Sequence, residues 1–355
     1  MMFTPLRVTL SLVVLLASSV SFAQTPHSSS TGGSAGRLRV YFVDVEGGQS
    51  TLFVTPEGHS LLVDTGWPGN ENRDANRIAK VARQAGLSQI DYVLLTHYHD
   101  DHVGGVPQLV AEIPVGTFID HGPNRELDHG ITEHGYAEYQ KVLAAGKSQR
   151  LLAHAGDLLP IEGMTARVVS ADGSLIANAL PGAGAPNPFC KVSEARPADE
   201  TENLRSVGIE ITFGELKILD LGDLTWDKEM QLMCPSNKLG HVDIYIVSHH
   251  GWYQSSSPAL VDAIHARVAI MDNGAKKGGS IPTLETLSKA PGLETLWQLH
   301  YSDEGGSAHN TAERYIANIQ GADAGYSLEL TATKDGSFEV LNARTNFIQK
   351  YRAQH

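Results

Sequence analysis

Residues 96–105 read Thr96-His97-Tyr98-His99-Asp100-Asp101-His102-Val103-Gly104-Gly105. Four strong metal-binding side chains, His97, His99, Asp101 and His102, fall within six residues of one another. They follow the apolar run Tyr92-Val93-Leu94-Leu95 directly. A run rich in β-branched and aromatic residues reads as a buried strand, so the four groups sit at a strand's carboxyl end. His97 and His99 are two apart, and in extended backbone both imidazoles point the same way. Asp101 and His102 are adjacent, so they diverge and can reach a second ion beside the first. Gly104-Gly105 then allows a tight turn into a helix. Imidazole nitrogen and carboxylate oxygen with no nearby Cys suit zinc or a similar divalent ion.

Two later segments share the layout of an apolar strand ending in metal-compatible side chains. Lys217-Ile218-Leu219-Asp220-Leu221-Gly222-Asp223 ends in Asp223, and Asp243-Ile244-Tyr245-Ile246-Val247-Ser248-His249-His250-Gly251 ends in paired histidines. An isolated strand-end Asp is usually a turn former. Beside the first cluster Asp223 becomes a candidate bridge, because a carboxylate has two oxygens to offer two cations.

Further strand-like runs are Leu38–Val45, Thr51–Val54, Ser60–Asp64, Val115–Ile119, Ala166–Ser170, Val207–Phe213, Val268–Met271 and Leu293–Leu299. Helices are expected near Arg73–Gln84, Val106–Glu112, Tyr136–Ala145, Trp226–Met233, Pro258–Ala263, Thr283–Ser288 and Thr311–Ile319. A hairpin, Tyr326–Thr331 with Ser337–Leu341, closes the chain. Strands alternating with helices in both halves point to an α/β sandwich, two sheets packed face to face with helices outside. Residues 172–203 are rich in Pro and Gly with little periodicity and read as one irregular insertion.

The chain has 355 residues and a formal charge of -13, which argues against a general nucleic-acid binder. Arg7, an apolar stretch Val8 to Val20 and Ser21-Phe22-Ala23 resemble an export signal over residues 1–23, with an uncleaved anchor as the alternative. Residues 24–36 read as a flexible Ser/Thr/Gly leader, and residues 37–355 as one domain. The expected location is periplasmic or secreted, with no membrane segment in the mature form. Cys190 and Cys234 are the two cysteines, and an oxidising compartment would allow them to pair.

The quoted motif resembles the His-x-His-x-Asp-His signature of the metallo-β-lactamase superfamily. Within it the chain is similar to the hydrolase domain of bacterial competence (DNA-uptake) proteins and, more distantly, to phosphorylcholine esterase. Supporting stretches are Phe42-Val43-Asp44-Val45-Glu46-Gly47-Gly48-Gln49, Leu61-Leu62-Val63-Asp64-Thr65-Gly66, Leu221-Gly222-Asp223 and Ser248-His249-His250-Gly251. The resemblance implies an αββα sandwich of two packed mixed sheets with outer helices. It implies His97 and His99 on one zinc and Asp101 and His102 on the other, Asp223 as bridge, and one of His249 and His250 completing the second site. Zinc, as two ions, is the implied cofactor, and Mn2+ or Fe2+ fits the same donors. Asp64 would orient a ligand imidazole from behind. Asp101 and Asp223 are the implied catalytic carboxylates.

One departure stands out. Many superfamily members place a further His between the first motif and the Asp; here the region reads Glu202-Asn203-Leu204-Arg205-Ser206, similar to the Asn-x-x-Ser of the competence subgroup. Asn203, Arg205 and Ser206 are therefore candidates for substrate contact, with His154 a lesser candidate ligand. Asn273, His300 and His309 are candidates for the cleft, and His121, His129 and His134 read as loop histidines. The expected activity is hydrolysis of a phosphodiester or related phosphate ester by a metal-activated water, with no obligate protein partner evident. A lactone or β-lactam hydrolase and a non-catalytic metal-dependent binding module are the competing readings.

Overall fold

The computed structural model describes residues 36–126, 130–319, 321 and 323–354, with the first two residues. The expected signal, nearly all of the leader and His129 lie outside the described residues. No helix among the described residues is long and apolar enough to cross a membrane.

Two mixed sheets form the body. The first runs, edge to edge, Phe347–Tyr351, Phe338–Asn342, Leu328–Ala332, Leu38–Phe42, Thr51–Val54, Ser60–Val63, Ile90–Leu94, Val115–Asp120, Gln149–Leu152. The second runs Ile316–Asn318, Thr295–His300, Val268–Met271, Ile244–Ile246, Leu216–Asp220, Gly208–Phe213, Thr165–Ala171, Leu158–Leu159. Each sheet is antiparallel in one part and parallel in the other. Ser60–Val63 onward is parallel in the first, and Leu216–Asp220 through Ile316–Asn318 is parallel in the second. Parallel neighbours need crossovers, and helices supply them. Arg73–Gln84, Val106–Glu112 and Ile131–Ala144 serve the first sheet; Trp226–Met233, Pro258–Ile264 and Ile281–Lys289 serve the second.

The layering follows from side-chain period. In Leu38–Phe42, Leu38, Val40 and Phe42 are buried while Arg39 and Tyr41 are half-buried, so one face enters the core. These side chains join Phe53, Leu61 and Val63 against Ile209, Ile211, Ile218, Ile246 and Trp297 of the other sheet. A second apolar layer, with Ile78, Val93, Leu109 and Phe118, lies under the first set of helices. A third, with Leu219, Tyr245, Leu232, Leu260 and Leu287, lies under the second set. Each fully buried side chain of this kind contributes about 1.5–3 kcal/mol of transfer free energy. The result is an αββα sandwich. Its parallel strands end on loops that carry Asp64, His97 to His102, His121, Asp223, His250 and Asp272.

Some elements differ from the sequence reading. Thr311–Ile319 is not a helix: a 3-10 turn, Glu313–Tyr315, leads into the strand Ile316–Asn318. Pairing with Thr295–His300 prevails there, because Ala317 buries its side chain in the core between the sheets and Ile316 is buried as well. Gln149–Leu152 carries no alternation because all four residues are exposed on a sheet edge. The final strand, Phe347–Tyr351, is anchored by Tyr351, whose hydroxyl accepts the Trp297 indole N–H at 3.0 Å. Within 172–203 the chain forms only Ser174–Leu175 and two 3-10 turns, Pro188–Lys191 and Glu202–Arg205. A Cys190–Cys234 disulfide ties this insertion to the end of helix Trp226–Met233.

Candidate metal centre

The loop after Ile90–Leu94 is shaped by the residue between its first two histidines. Tyr98 points away from His97 and His99 into the core, where its hydroxyl donates to Asp120 Oδ1 at 3.0 Å. Asp120 also accepts from Tyr139 (2.7 Å) and Arg150 Nε (2.7 Å), so its charge is paired. With Tyr98 held below, His97 and His99 are both presented above it. Asp101 and His102 follow on a one-turn helix, Asp100–Val103. Gly104 and Gly105 have ordinary helical dihedrals, so backbone freedom is not why they are glycine. Space is the reason at Gly105: a Cβ there would lie 2.1 Å from Thr65 O.

Asp101, His102, Asp223 and His250 bring one ligand atom each within 4.8 Å of one another, all four buried. His250 Nε2 is 3.1 Å from Asp101 Oδ2 and 3.5 Å from Asp223 Oδ1. His102 Nε2 is 3.3 Å from both Asp101 Oδ2 and Asp223 Oδ2. Beside this group His97 Nε2 faces His99 Nδ1 at 3.0 Å and lies 3.9 Å from Asp223 Oδ2. His249 Nε2 approaches the same oxygen at 3.4 Å. Asp223 therefore stands between the His97/His99 pair and the four-ligand cluster. His249 and His250 both adopt left-handed backbone, φ 56° and 52°. Such strain persists only where neighbours hold it, here through His249 N–H to Gly222 O (3.0 Å) and Gly279 N–H to His250 O (2.9 Å).

Each imidazole turns its other nitrogen to an oxygen. His102 Nδ1–H donates to Asp64 Oδ2 at 2.7 Å. His97 Nδ1–H donates to Thr96 Oγ1 (3.0 Å), whose own hydrogen goes to Asp64 Oδ2 (2.7 Å). His99 Nε2–H donates to Glu126 Oε2 at 3.1 Å, and His250 Nδ1 faces Asp272 Oδ1 at 3.6 Å. The hydrogen-bonded partners set the tautomers of His102, His97 and His99, whereas His250 Nδ1 makes no hydrogen bond. His102 Nε2 meets His250 Nε2 at 3.2 Å, a contact that a proton on His250 Nε2 or a shared cation satisfies. Asp223 Oδ1 is buried with no hydrogen-bond partner. The donor set fits divalent cations.

The electrostatics agree. Burial would depress His102, but Asp223, Asp101 and Asp64 hold it well above the ordinary imidazole pKa. His250 is likewise pushed up to about 10, since Asp223 and Asp101 outweigh burial and the Lys277 charge. Burial would raise Asp101 and Asp223, but Lys277 and His102 for the first, and His249, His102 and His250 for the second, hold both well below the carboxylate range. His97 is depressed by burial and by its charged neighbours, and His249 is lowered to about 4 chiefly by burial. The site thus presents ionised carboxylates that attract positive charge. It opens to solvent beside His99, His249 and Lys277, whose side chains are 24, 12 and 35 % exposed.

The other expected residues are distributed differently. Ser206 Oγ accepts the Asp223 N–H at 3.2 Å and so positions that carboxylate. Asn203 is buried and its backbone carbonyl accepts from Ser206 N–H. Arg205 Nη1 pairs with Asp172 at 2.9 Å. His300 does not line the metal cluster. Its Nε2 donates to Asp44 Oδ1 (2.7 Å) and lies 3.6 Å from Glu46, in a group that Arg77 closes at 3.2 Å from Asp44. Asn273 is consumed in bonds to His300 O and Gly274 O. His309 ends the short helix Gly306–His309 and joins neither group. His154 is exposed beside Asp157, and His121 is buried against Glu202 at 2.9 Å. His134 sits on the exterior of helix Ile131–Ala144. The sequence reading missed Glu126, Asp272 and Lys277. Asp272 ends an apolar strand as Asp223 does, and that repetition was the available signal; Glu126 and Lys277 lie on loops with none.

Two packed mixed sheets with a His/Asp centre at the ends of their parallel strands define a metallo-β-lactamase fold. The Metallo-beta-lactamase superfamily model matches residues 44–173, the stretch that carries His97, His99, Asp101 and His102. A lactamase-like protein, aptB, of Emericella nidulans is 44% identical over 85 residues, covering 23% of this chain and 24% of that protein. A hydroxyacylglutathione hydrolase of Stenotrophomonas maltophilia is 35% identical over 105 residues, 30% of this chain and 37% of that protein. These matches span about a quarter and just over a third of the relatives' own lengths. Among solved structures, the metallo-beta-lactamase fold protein YhfI from Bacillus subtilis is 13% identical with a TM-score of 0.46, covering 82% of this chain and 99% of that one.

Proposed function

We propose that this protein is an exported zinc-dependent hydrolase acting on a phosphodiester or related phosphate ester. The convergence of Asp101, His102, Asp223 and His250 within 4.8 Å carries the hydrolase reading. Nitrogen and oxygen donors without sulfur suit zinc, and Mn2+ or Fe2+ fits the same set. Asp101, His102, Asp223 and His250 would hold one ion, and His97 and His99, with Asp223 between, the other. When bound, such ions lower the pKa of a water toward 7 and polarise an ester oxygen.

The chain's own residues supply the rest. Asp101 stays ionised at neutral pH, so it can accept a proton's hydrogen bond from an attacking water and orient it. Asp64, through His102 directly and His97 by way of Thr96, keeps both imidazoles in the donor tautomer. Ser206 holds Asp223 in place. The similarity of Asn203–Ser206 and Ser248–Gly251 to the competence subgroup supports the phosphodiester. The Cys190–Cys234 bond supports an oxidising compartment and hence export.

The relative named a hydroxyacylglutathione hydrolase motivates a second reading, hydrolysis of an acyl ester or lactone. Zinc-loaded protein assayed with bis(p-nitrophenyl) phosphate, a lactone and a chromogenic cephalosporin separates the two. Phosphodiester turnover with little cephalosporin cleavage is expected. Efficient lactone or cephalosporin cleavage without phosphodiester turnover would replace the substrate class. No turnover of any substrate by metal-replete protein would remove the hydrolase reading. Secretion is checked by whether the periplasmic or secreted protein begins at Gln24.

A further inference from the structure

We propose that Lys277 is the anion-holding group of this centre and selects substrates that carry a negative charge beside the bond to be cut. The inference rests on the hydrolase reading above and adds the group that recognises the substrate's charge.

Lys277 lies on the loop between strand Val268–Met271 and helix Ile281–Lys289. Gly274 N–H donates to Lys277 O at 2.9 Å and closes a turn. The same loop is seated on the backbone of a ligand. Gly279 N–H donates to His250 O at 2.9 Å, and Gly278, at φ +74°, leaves no room for a side chain, since a Cβ would lie 2.0 Å from that oxygen. From the opposite side Gly47 packs against the loop, its own Cβ position being 2.8 Å from Gly274 N.

The ammonium is held as firmly as the loop. Its Nζ donates to Gly47 O at 2.9 Å and to the Asp101 carboxylate, and it lies 5.1 Å from the Trp67 ring centroid. Two of its three hydrogens are committed to those acceptors, so one remains for a ligand. Among the described residues it is the one Lys or Arg whose side chain meets a carboxylate of the metal cluster. It is also at the mouth, 35 % exposed, where His99 and His249 reach solvent. A lysine that only neutralised Asp101 needs neither the second backbone anchor nor access to solvent. An ammonium fixed by two loops at the rim of a cation site is placed to take a charged, non-bridging oxygen of a phosphate ester by a charge-assisted hydrogen bond.

The test uses the full zinc-loaded protein, with Lys277→Met and Lys277→Arg. Calorimetry follows inorganic phosphate, and kinetics compare anionic bis(p-nitrophenyl) phosphate with the neutral triester dimethyl p-nitrophenyl phosphate. Zinc affinity is read by chelator competition. For Lys277→Met the expected results are phosphate binding weakened about tenfold or more, and a diester-to-triester kcat/KM ratio lowered by about 10- to 100-fold, from the usual worth of a hydrogen bond to a charged group. Zinc affinity should be equal to or tighter than wild type, since the variant removes a competing cation from Asp101. Lys277→Arg should recover most of the phosphate binding. Phosphate affinity indifferent to Lys277, or undetectable in the wild type, overturns the proposal. So does loss of zinc in Lys277→Met, or an equal fall on both esters. Lys277-dependent phosphate binding in a protein that cleaves no phosphate ester keeps the proposal and removes the substrate class instead.

Discussion

Replacing Asp64 by Asn tests whether the centre is organised from behind. Asp64 is fully buried and makes three hydrogen bonds through two oxygens. Oδ1 accepts the Thr96 backbone N–H at 2.8 Å; Oδ2 accepts the Thr96 hydroxyl at 2.7 Å and His102 Nδ1–H at 2.7 Å. An Asn has one acceptor and one donor, so no orientation satisfies all three. If its NH2 faces His102, the imidazole must move its proton to Nε2, the nitrogen that faces Asp101, Asp223 and His250. If the amide is flipped, its NH2 meets the Thr96 N–H instead, and a buried donor is left unpaired. Either way one hydrogen bond to a charged or buried group is lost, about 1.5–3 kcal/mol. That corresponds to roughly 10- to 100-fold in metal affinity, the range seen for outer partners of ligand histidines. Competition with a chromogenic chelator at pH 7 measures it, and circular dichroism checks that the variant is folded. Thr96→Val should weaken the His97 side more than the His102 side, because only His97 reaches Asp64 through Thr96. Wild-type zinc affinity in folded Asp64→Asn protein would refute this account of the tautomers.

Three further outcomes follow from the fold. Tyr98→Phe removes the hydroxyl that binds Asp120 and Gly122 O. It should cost about 1–2 kcal/mol and lower Tm by several degrees; an unchanged melting curve would mean the network does not support the metal loop. Opening the Cys190–Cys234 bridge, whose partners are 44 residues apart, should destabilise by about 4 kcal/mol on the chain-entropy model, read as a lower Tm for the Cys190→Ser/Cys234→Ser protein. Glu229 is fully buried under the Ser256 and Ser257 amides, and burial pushes its carboxyl up to about 7. Because the folded pKa lies above the unfolded one, its stabilising contribution is complete below about pH 4.3 and is lost as pH rises through 7. Urea unfolding should therefore give lower stability at pH 8 than at pH 5. Glu229→Gln should reduce that slope without abolishing it, since Asp220, also raised to about 7 by burial, titrates with the same sign. A steeper slope in the variant would contradict the assignment.

The sequence alone determined whatever depends on neighbours along the chain. Alternating and continuous apolar runs mark the strands, and the two-residue spacing of His97 and His99 puts them on one side of an extended segment. The same strand-then-ligand layout singled out Asp223 and the His249-His250 pair. The tertiary structure decided what depends on neighbours through space. His249 and His250 are adjacent and chemically identical in sequence. Their left-handed backbone and the loop at Gly278-Gly279 send His250 into the four-ligand cluster and leave His249 at its rim. Arg205 has Glu202 at 3.8 Å along its own turn, and the fold adds Asp172 at 2.9 Å from a distant loop. Ile316–Asn318 has helical neighbours in the sequence pattern, but a parallel strand lies ready beside it and the backbone hydrogen bonds go there. Glu126 comes from one loop and Asp272 and Lys277 from another; only Asp272, at the end of an apolar strand, is marked by its own segment. Ligands are read from local spacing because a strand's end is a short-range geometry. The groups that orient them are contributed wherever the folded chain passes behind the site, and only long-range packing brings them there.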